Sequence, residues 1–169
     1  YQLPVISLGK ETSKEAVCLV FEKVNTGGVP LSVFELMTAS FAADNFNLRD
    51  DWYGSTIREV AGRQGRLRAE PVLTAVEPTD FLQAISLLAT HERRRKDYSD
   101  GKSAKALTPV SAKRSAVLSI TRADYDTWAN KLEAGFLLAA KYLKKQHFFS
   151  TRELPYRTQI VPLAAVLTH

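Results

Sequence analysis

Apolar residues recur at steps of three and four along most of the chain, which is the spacing of one face of an α-helix. The longest stripe of this kind follows Thr121, a residue that can cap a helix N-terminus. Its members are Tyr125, Trp128, Leu132, Phe136, Ala139 and Leu143. The stripe predicts the longest helix of the protein, beginning at Thr121 and ending among lysines.

A second stripe predicts a helix that begins at Thr79 or Asp80 and carries Phe81, Ile85 and Leu88 on its inner face. This helix ends in the basic run 93–96, and cations suit the negative end of a helix dipole.

The residues between these two helices are polar. Residues 97–110 contain Gly101 and Pro109 and predict a loop of unusual length, either functional or mobile. Residues 111–120 predict a short helix. After the longest helix, a last one must start near Gln159, because Pro162 lacks the N–H that a deeper position would need.

Two capping boxes organise the first part of the chain. Thr12 with Glu15 starts one helix, and Ser32 with Glu35 starts the next. The apolar stripes that follow them are Val17, Val20, Phe21 and Val24, and then Val33, Leu36, Met37 and Phe41. A further helix is predicted over residues 51–66, weakened by its three glycines.

Residues 2–7 alternate and contain a proline, which predicts an edge strand. The fold class is therefore mainly α: a multi-helix domain with one or two short N-terminal or edge β-strands. We expect one domain over residues 1–169. Its predicted core comprises Phe21, Val24, Leu36, Phe81, Ile85, Trp128, Leu132, Phe136 and Leu163.

Composition narrows the class of protein. The 169 residues are 45% hydrophobic and 24% charged, as is normal for a soluble globular domain. No apolar run reaches the length of a membrane span, so no membrane association is expected. A single cysteine, Cys18, fits a reducing, cytoplasmic compartment, and no metal-ligand spacing is present. Because the chain does not begin with methionine, we expect it to be a fragment or a trimmed form of a longer protein.

Charge is concentrated in one region. Residues 90–116 contain eight basic and three acidic residues, so their net charge is +5, the same as the net charge of the whole chain. Localised positive charge attracts phosphate backbones, so this region is a candidate DNA-binding surface. Its candidate residues are Arg93, Arg94, Arg95, Lys96, Lys113 and Arg114. The alternative is a solvated helix end with a charged loop. A second basic group comprises Arg58, Arg63, Arg66 and Arg68.

The turn formed by Asn25, Thr26, Gly27 and Gly28 is a candidate phosphate-binding or nucleotide-binding element. Consecutive backbone N–H groups in a glycine turn can form an anion-binding nest, and a helix N-terminus follows at Ser32. The same residues are also explained as a helix stop followed by a capped helix start. The turn lacks the Gly-Lys-Ser/Thr sequence of a P-loop.

No catalytic constellation is evident. Asp50 and Asp51 are adjacent carboxylates that point apart on a helix, so a role at a helix start is favoured over a metal pair. His91 and His147 are predicted near helix ends among cations, where the dipole explains them. We expect no catalytic residue, metal site or cofactor within this chain.

Residues 1–6 and 21–36, with the Phe-Glu-x-x-Asn-Thr-Gly-Gly block at Phe21 to Gly28, resemble the N-terminal domain of GmrSD-type modification-dependent restriction endonucleases. That domain, also called domain of unknown function 262, belongs to the ParB/sulfiredoxin-like group. Leu154-Pro155-Tyr156 with Gln159, Pro162 and Leu163 resembles a late stretch of it. The resemblance covers the C-terminal part of the domain and implies a helical portion of a larger α+β fold.

The resemblance implies a role in restriction and phage defence. In that family an upstream Asp-Gly-Gln-Gln-Arg motif is credited with nucleotide and nuclease chemistry, and this chain lacks it. The parent protein is therefore expected to be a DNA endonuclease dependent on a nucleoside triphosphate and Mg²⁺, whereas this fragment is expected to be inactive alone. Its partners would be DNA, the missing N-terminal half of the domain and a C-terminal His-Asn-His nuclease domain.

Two other functions remain open. One is a helical protein–protein interaction scaffold whose charges only solvate it. The other is a helix-turn-helix regulator that inserts residues 111–120 into the major groove, which is disfavoured because the compact helix–turn–helix spacing is missing.

Overall fold

The computed structural model describes Val20, residues 31–57 and residues 61–169. The predicted strand over residues 2–7, the helix after Thr12 and the turn from Asn25 to Gly28 lie outside the described residues. The described part is mainly helical, which confirms the fold class predicted from the apolar spacing.

Seven α-helices make up most of the described part: α1 (Val33–Ala42), α2 (Leu48–Tyr53), α3 (Arg63–Arg68), α4 (Pro78–Ser99), α5 (Arg114–Leu118), α6 (Arg122–Lys145) and α7 (Ile160–Thr168). Short 3₁₀ turns at Pro71–Leu73, Ala104–Ala106, Thr151–Glu153 and Arg157–Gln159 connect them. Each helix among these residues is too short or too polar to traverse a lipid bilayer.

The capping box predicted at Ser32 and the helix start predicted at Thr121 are confirmed. At the start of α1, the Glu35 N–H donates to Ser32 Oγ at 3.2 Å and the Ser32 N–H donates to Glu35 Oε2 at 2.7 Å. The longest helix, α6, begins after Thr121 as predicted, with a second capping box between Thr121 and Asp124. Both boxes satisfy backbone N–H groups that a helix leaves without partners.

The prediction of a single helix over residues 51–66 is wrong. The structure divides this region into α2 and α3, and Gly54 ends α2 with a φ of 85°, a left-handed conformation that favours glycine. The chain then returns so closely that a Cβ on Gly62 would lie 2.3 Å from the Gly54 nitrogen. The glycines therefore form a break with a close backbone approach, where the prediction allowed only a weakened helix.

The helix predicted to end in the arginine cluster is longer than expected. It begins at Pro78, where a capping box joins Glu77 and Asp80, and it continues to Ser99. The loop predicted over 97–110 consequently starts only after this helix. The inner-face residues of α4, including Phe81, Ile85 and Leu88, are buried as predicted.

The core is built around linked aromatic rings. Phe81 stacks on Phe136 with ring centroids 5.9 Å apart and contacts the Trp52 ring at 5.3 Å. Tyr125 joins this cluster and meets the Phe41 ring at 5.5 Å. These contacts bring α1, α2, α4 and α6 into one hydrophobic core.

Five predicted core residues are buried: Leu36, Phe81, Ile85, Leu132 and Phe136. Trp128 and Leu163 are only partly buried and pack against the edge of the core, so their assignment to its interior is corrected. Phe21 and Val24 lie outside the described residues.

The last helix, α7, packs against α6 and α4. It follows the Arg157–Gln159 turn and holds Pro162 in its first turn, as predicted. Gly135 allows its close approach to α6, because a Cβ there would lie 2.8 Å from the Ala164 carbonyl oxygen.

Candidate nucleic-acid interface

The basic run at the end of α4 points in several directions, because consecutive helical residues differ by about 100°. Arg93 forms an ion pair with Asp124 of α6. Arg94 donates to the Thr108 carbonyl oxygen at 3.3 Å, and Arg95 donates to Glu92 at 3.2 Å. Lys96 is exposed. The run therefore does not present one continuous row of cations.

Asp97 fixes the loop that follows α4. One carboxylate oxygen accepts from Lys102 Nζ at 2.5 Å, and the other accepts from the Thr108 N–H at 2.8 Å and the Thr108 hydroxyl at 2.6 Å. Hydrogen bonds from Lys102 and from Thr108 lower the pKa of Asp97 well below its usual value. The carboxylate thus stays charged and ties the basic loop to the helix end.

Four of the six candidate DNA-binding residues divide between two clefts. Arg93 and Lys113 line one, of about 410 Å³, between α4, the loop and α5. Arg94 and Arg95 line another, of about 370 Å³, together with Tyr98. Arg114 lies apart from both linings, with its guanidinium 3.5 Å from the Leu31 carbonyl oxygen. We call residues 93–114 the basic end of the protein.

Two members of the second basic group, Arg63 and Arg66, are paired with carboxylates. Arg63 is buried and donates to Asp51 and to Glu133, at 2.6 Å in both cases. Arg66 donates to both oxygens of Glu133, at 2.5 and 2.9 Å. These guanidiniums are neutralised by carboxylates, so they do not form a phosphate-binding surface. Arg68 is exposed, and Arg58 lies outside the described residues.

The Arg63 cluster also determines the role of Asp51. Its carboxylate accepts from the Tyr125 hydroxyl at 2.5 Å as well as from Arg63. Burial, together with the charge and hydrogen bond of Asp51, raises the pKa of Tyr125 well above its usual value. Burial would raise the pKa of Glu133, but hydrogen bonds and charges from Arg66 and Arg63 lower it below its usual value. This cluster joins α2, α3 and α6 as a structural ion network.

The histidines occupy different environments. His147 follows the end of α6, as predicted, with a φ of 65°. His91 lies inside α4 rather than near its end, and its ring meets that of His169 at 4.8 Å. Within residues 31–57 and 61–169, no cluster of three or more His, Cys, Asp or Glu side chains is arranged to hold a metal ion.

A third cleft was not anticipated from the sequence. It measures about 370 Å³ and lies between α4 and α6, lined by Arg93, Trp128 and Lys131 among others. Trp128 falls on the apolar stripe of α6, and this position alone predicts that it lies in the core. The signal available in the sequence was Lys131, three residues later, which lies on the same side of the helix and places its Nζ 5.1 Å from the Trp128 ring centroid.

Comparison with known proteins adds no family to these observations. No protein-family model, curated protein or solved structure matches the chain.

Proposed function

We propose that this chain is the helical part of a GmrSD-type restriction or phage-defence protein and that its basic end holds the phosphate backbone of DNA. The observation that carries the proposal is the set of hydrogen bonds from Lys102 and Thr108 to Asp97, which we call the Asp97 anchor. These bonds hold the lysine-bearing loop against the end of α4. Exposed cations on both sides of the anchor, such as Lys96 and Lys105, are thereby held in one region.

Anchoring favours binding for a physical reason. A loop that is already ordered loses less conformational entropy on association than a free chain. Cations that contact phosphates release condensed counterions, and this contribution does not depend on base sequence. We therefore expect weak, sequence-independent binding that is sensitive to salt.

The remainder of the proposed activity belongs to other parts of the parent protein. By its resemblance, the Asn25–Gly28 turn would border a phosphate-binding cleft formed with the preceding half of the domain. Nucleoside triphosphate, Mg²⁺ and strand cleavage would be handled there or by a His-Asn-His nuclease domain. This chain would contribute DNA holding without catalysis.

The test is a titration of duplex DNA at several salt concentrations. If about four cations neutralise phosphates, log affinity should fall against log salt with a slope near −3.6. The double variant Arg95→Glu/Lys96→Glu should weaken binding to all sequences alike and flatten the slope by about 1.8.

A matched control is Lys141→Glu/Lys145→Glu, which makes the same change in net charge at exposed positions of α6. This control should keep most of the affinity and slope. Equal losses in the two double variants would reduce the effect to net charge and remove the basic end from the mechanism.

The alternative is a helical protein–protein interaction scaffold. It is favoured by an apolar cleft of about 440 Å³ between α4 and α7, lined by residues such as Leu87, Pro162 and Val166. A scaffold predicts no salt-dependent DNA binding beyond that of any mildly basic protein. The same titration therefore separates the two functions.

A further inference from the structure

Two of the clefts meet at one side chain. Arg93 lines both the cleft that contains Lys113 and the cleft that contains Trp128. Its guanidinium is held in place by Asp124, which also belongs to the capping box of α6. A guanidinium has five N–H donors, so this ion pair leaves others for a ligand.

The first cleft has the chemistry of a phosphate site. It contains two cations, Arg93 and Lys113, and no carboxylate of the described residues lines it. Its remaining polar lining consists of hydroxyl residues: Thr90, Thr108 and Ser119, which donate to other groups of the protein, and Ser111 and Ser115, whose hydroxyls can donate to a ligand. Lys113 is exposed, and its side chain takes no part in capping α5. Cations and hydroxyls are the side chains that commonly contact phosphate oxygens.

The second cleft has the chemistry of a stacking site. Trp128 is partly buried and packs against the core, and it lines this cleft together with Arg93 and two carboxylates, Glu92 and Asp124, the second of which is paired with Arg93. The Lys131 ammonium lies over one face of the ring, 5.1 Å from its centroid, so a base that stacks on that face takes the place of the ammonium. Aromatic rings flanked by cations bind unpaired bases of any sequence, because every base has a π face.

We propose that these two clefts form one site for an unpaired nucleotide of a DNA strand, with the base stacked on Trp128 and the adjacent phosphate held by Lys113 and Arg93. The proposal rests on the proposed function, that the chain binds DNA, and specifies which form of DNA this side of the basic end accepts. A paired base is stacked within its own duplex and cannot present a face to Trp128.

Tryptophan fluorescence tests the proposal directly, because the chain contains only Trp52 and Trp128. In a Trp52→Phe variant, Trp128 is the sole emitter. A single-stranded oligothymidylate should quench this emission on binding. An abasic strand of the same length and a hairpin duplex should bind without comparable quenching. Free thymidine monophosphate, the fourth probe, distinguishes a free nucleotide from a strand: it should quench only at far higher concentration.

Variants then assign the two halves of the site. Trp128→Leu and Lys113→Glu should each weaken binding of the oligothymidylate by roughly tenfold. The control Lys145→Glu makes the same charge change at an exposed position on α6 and should have a small effect. If Trp52→Phe does not fold, quenching can be read in the unmodified chain, where Trp52 is 1% exposed and gives a constant background.

Two results would overturn the proposal: absence of quenching by the bound oligothymidylate, or equal quenching by the abasic strand. Its failure is distinguishable from failure of the proposed function. Salt-dependent duplex binding that responds to Arg95→Glu/Lys96→Glu, without quenching by a single strand, would leave the proposed function intact and remove only the nucleotide site.

Discussion

Arg63 shows what a single charged residue contributes to this fold. Its side chain is 7% exposed and contacts Asp51, Glu133 and Asn130, the last through a 2.8 Å hydrogen bond. A buried guanidinium of this kind is tolerated because each partner compensates for lost hydration. It joins α3 to α2 and α6 through directed bonds that apolar packing alone would not provide.

We expect Arg63→Met to destabilise the protein by about 3–5 kcal/mol, because Asp51 and Glu133 would each lose a buried counterion. Arg63→Lys should also be destabilising, since an ammonium cannot reproduce the planar set of donors. Urea unfolding measures both variants. Arg68→Met is the control, because Arg68 is exposed. A loss for Arg63→Met no larger than for this control would contradict the structural role of the network.

Whether a residue's role could be predicted depended on how far away its partners lie. Ser32 and Glu35 were identified because both halves of a capping box are within one turn. Arg63 was grouped with surface cations because its partner Glu133 is 70 residues away in sequence. Trp128 was assigned to the core because periodicity identifies the inner face of a helix but does not show where its edge meets a cleft.

Among the structural elements, α4 and the loop after it are coupled through Asp97. The side chain lies on the last turns of the helix, yet its hydrogen bonds go to Lys102 and Thr108 of the loop. Arg94 adds a further bond to the Thr108 carbonyl oxygen. A loop of this length would otherwise be expected to move freely. Here it is closed by contacts that all converge on the helix end.

Asp97→Ala should open this loop while leaving the helices folded. Limited trypsin digestion after Lys102 and Lys105 should become several times faster, because cleavage requires local opening. Asp100→Ala, three residues later and exposed, is the control. Unchanged digestion of Asp97→Ala would show that the loop is held by other contacts.

The same contact has a defined pH dependence. The folded state lowers the pKa of Asp97, so the charged carboxylate stabilises the folded loop. This stabilisation is fully present when the pH is above the pKa of Asp97 in the unfolded chain, about 3.9, and it is lost as the pH falls through the lower pKa of the folded state. Hydrogen exchange of loop amides should accordingly stay slow as pH is lowered through 4 in the unmodified chain, after correction for intrinsic exchange rates.

The presence of a helix was easier to predict than the residues at which it begins and ends. The stripes of α4 and α6 are long and regular, so both helices were identified. The predicted end of α4 is too early because residues 97–99 are polar, which is typical of a loop. In the structure Asp97 belongs to the helix, and its carboxylate accepts hydrogen bonds from Lys102 and Thr108 of the loop. The break at Gly54 was missed because a glycine can either weaken a helix or end it in a left-handed turn.

At the scale of the whole molecule, periodicity predicts a mainly helical class because amphipathic segments can bury their apolar faces only against one another, and the described residues confirm this class. The arrangement of charge did not follow from the sequence. Summing charges over residues 90–116 located the basic end, but only the structure separates cations paired with carboxylates, such as Arg93, from exposed ones, such as Lys96.

The continuous aromatic core implies that the described helices unfold together. Trp52 lies in this core on Phe81, which stacks on Phe136 of α6, so its fluorescence reports on contacts between distant parts of the chain. In urea, Trp52 emission measured in a Trp128→Phe background should follow the same single transition as the helical circular dichroism signal, as expected for a cooperative domain of this size.

Phe136→Ala should shift both transitions together, lowering the free energy of unfolding by about 3–5 kcal/mol with an unchanged urea dependence. Leu138→Ala, an exposed position two residues later on α6, is the matched control and should shift neither appreciably. Two separated transitions, or a shift seen by only one probe, would show that α6 and its neighbours do not share one cooperative core.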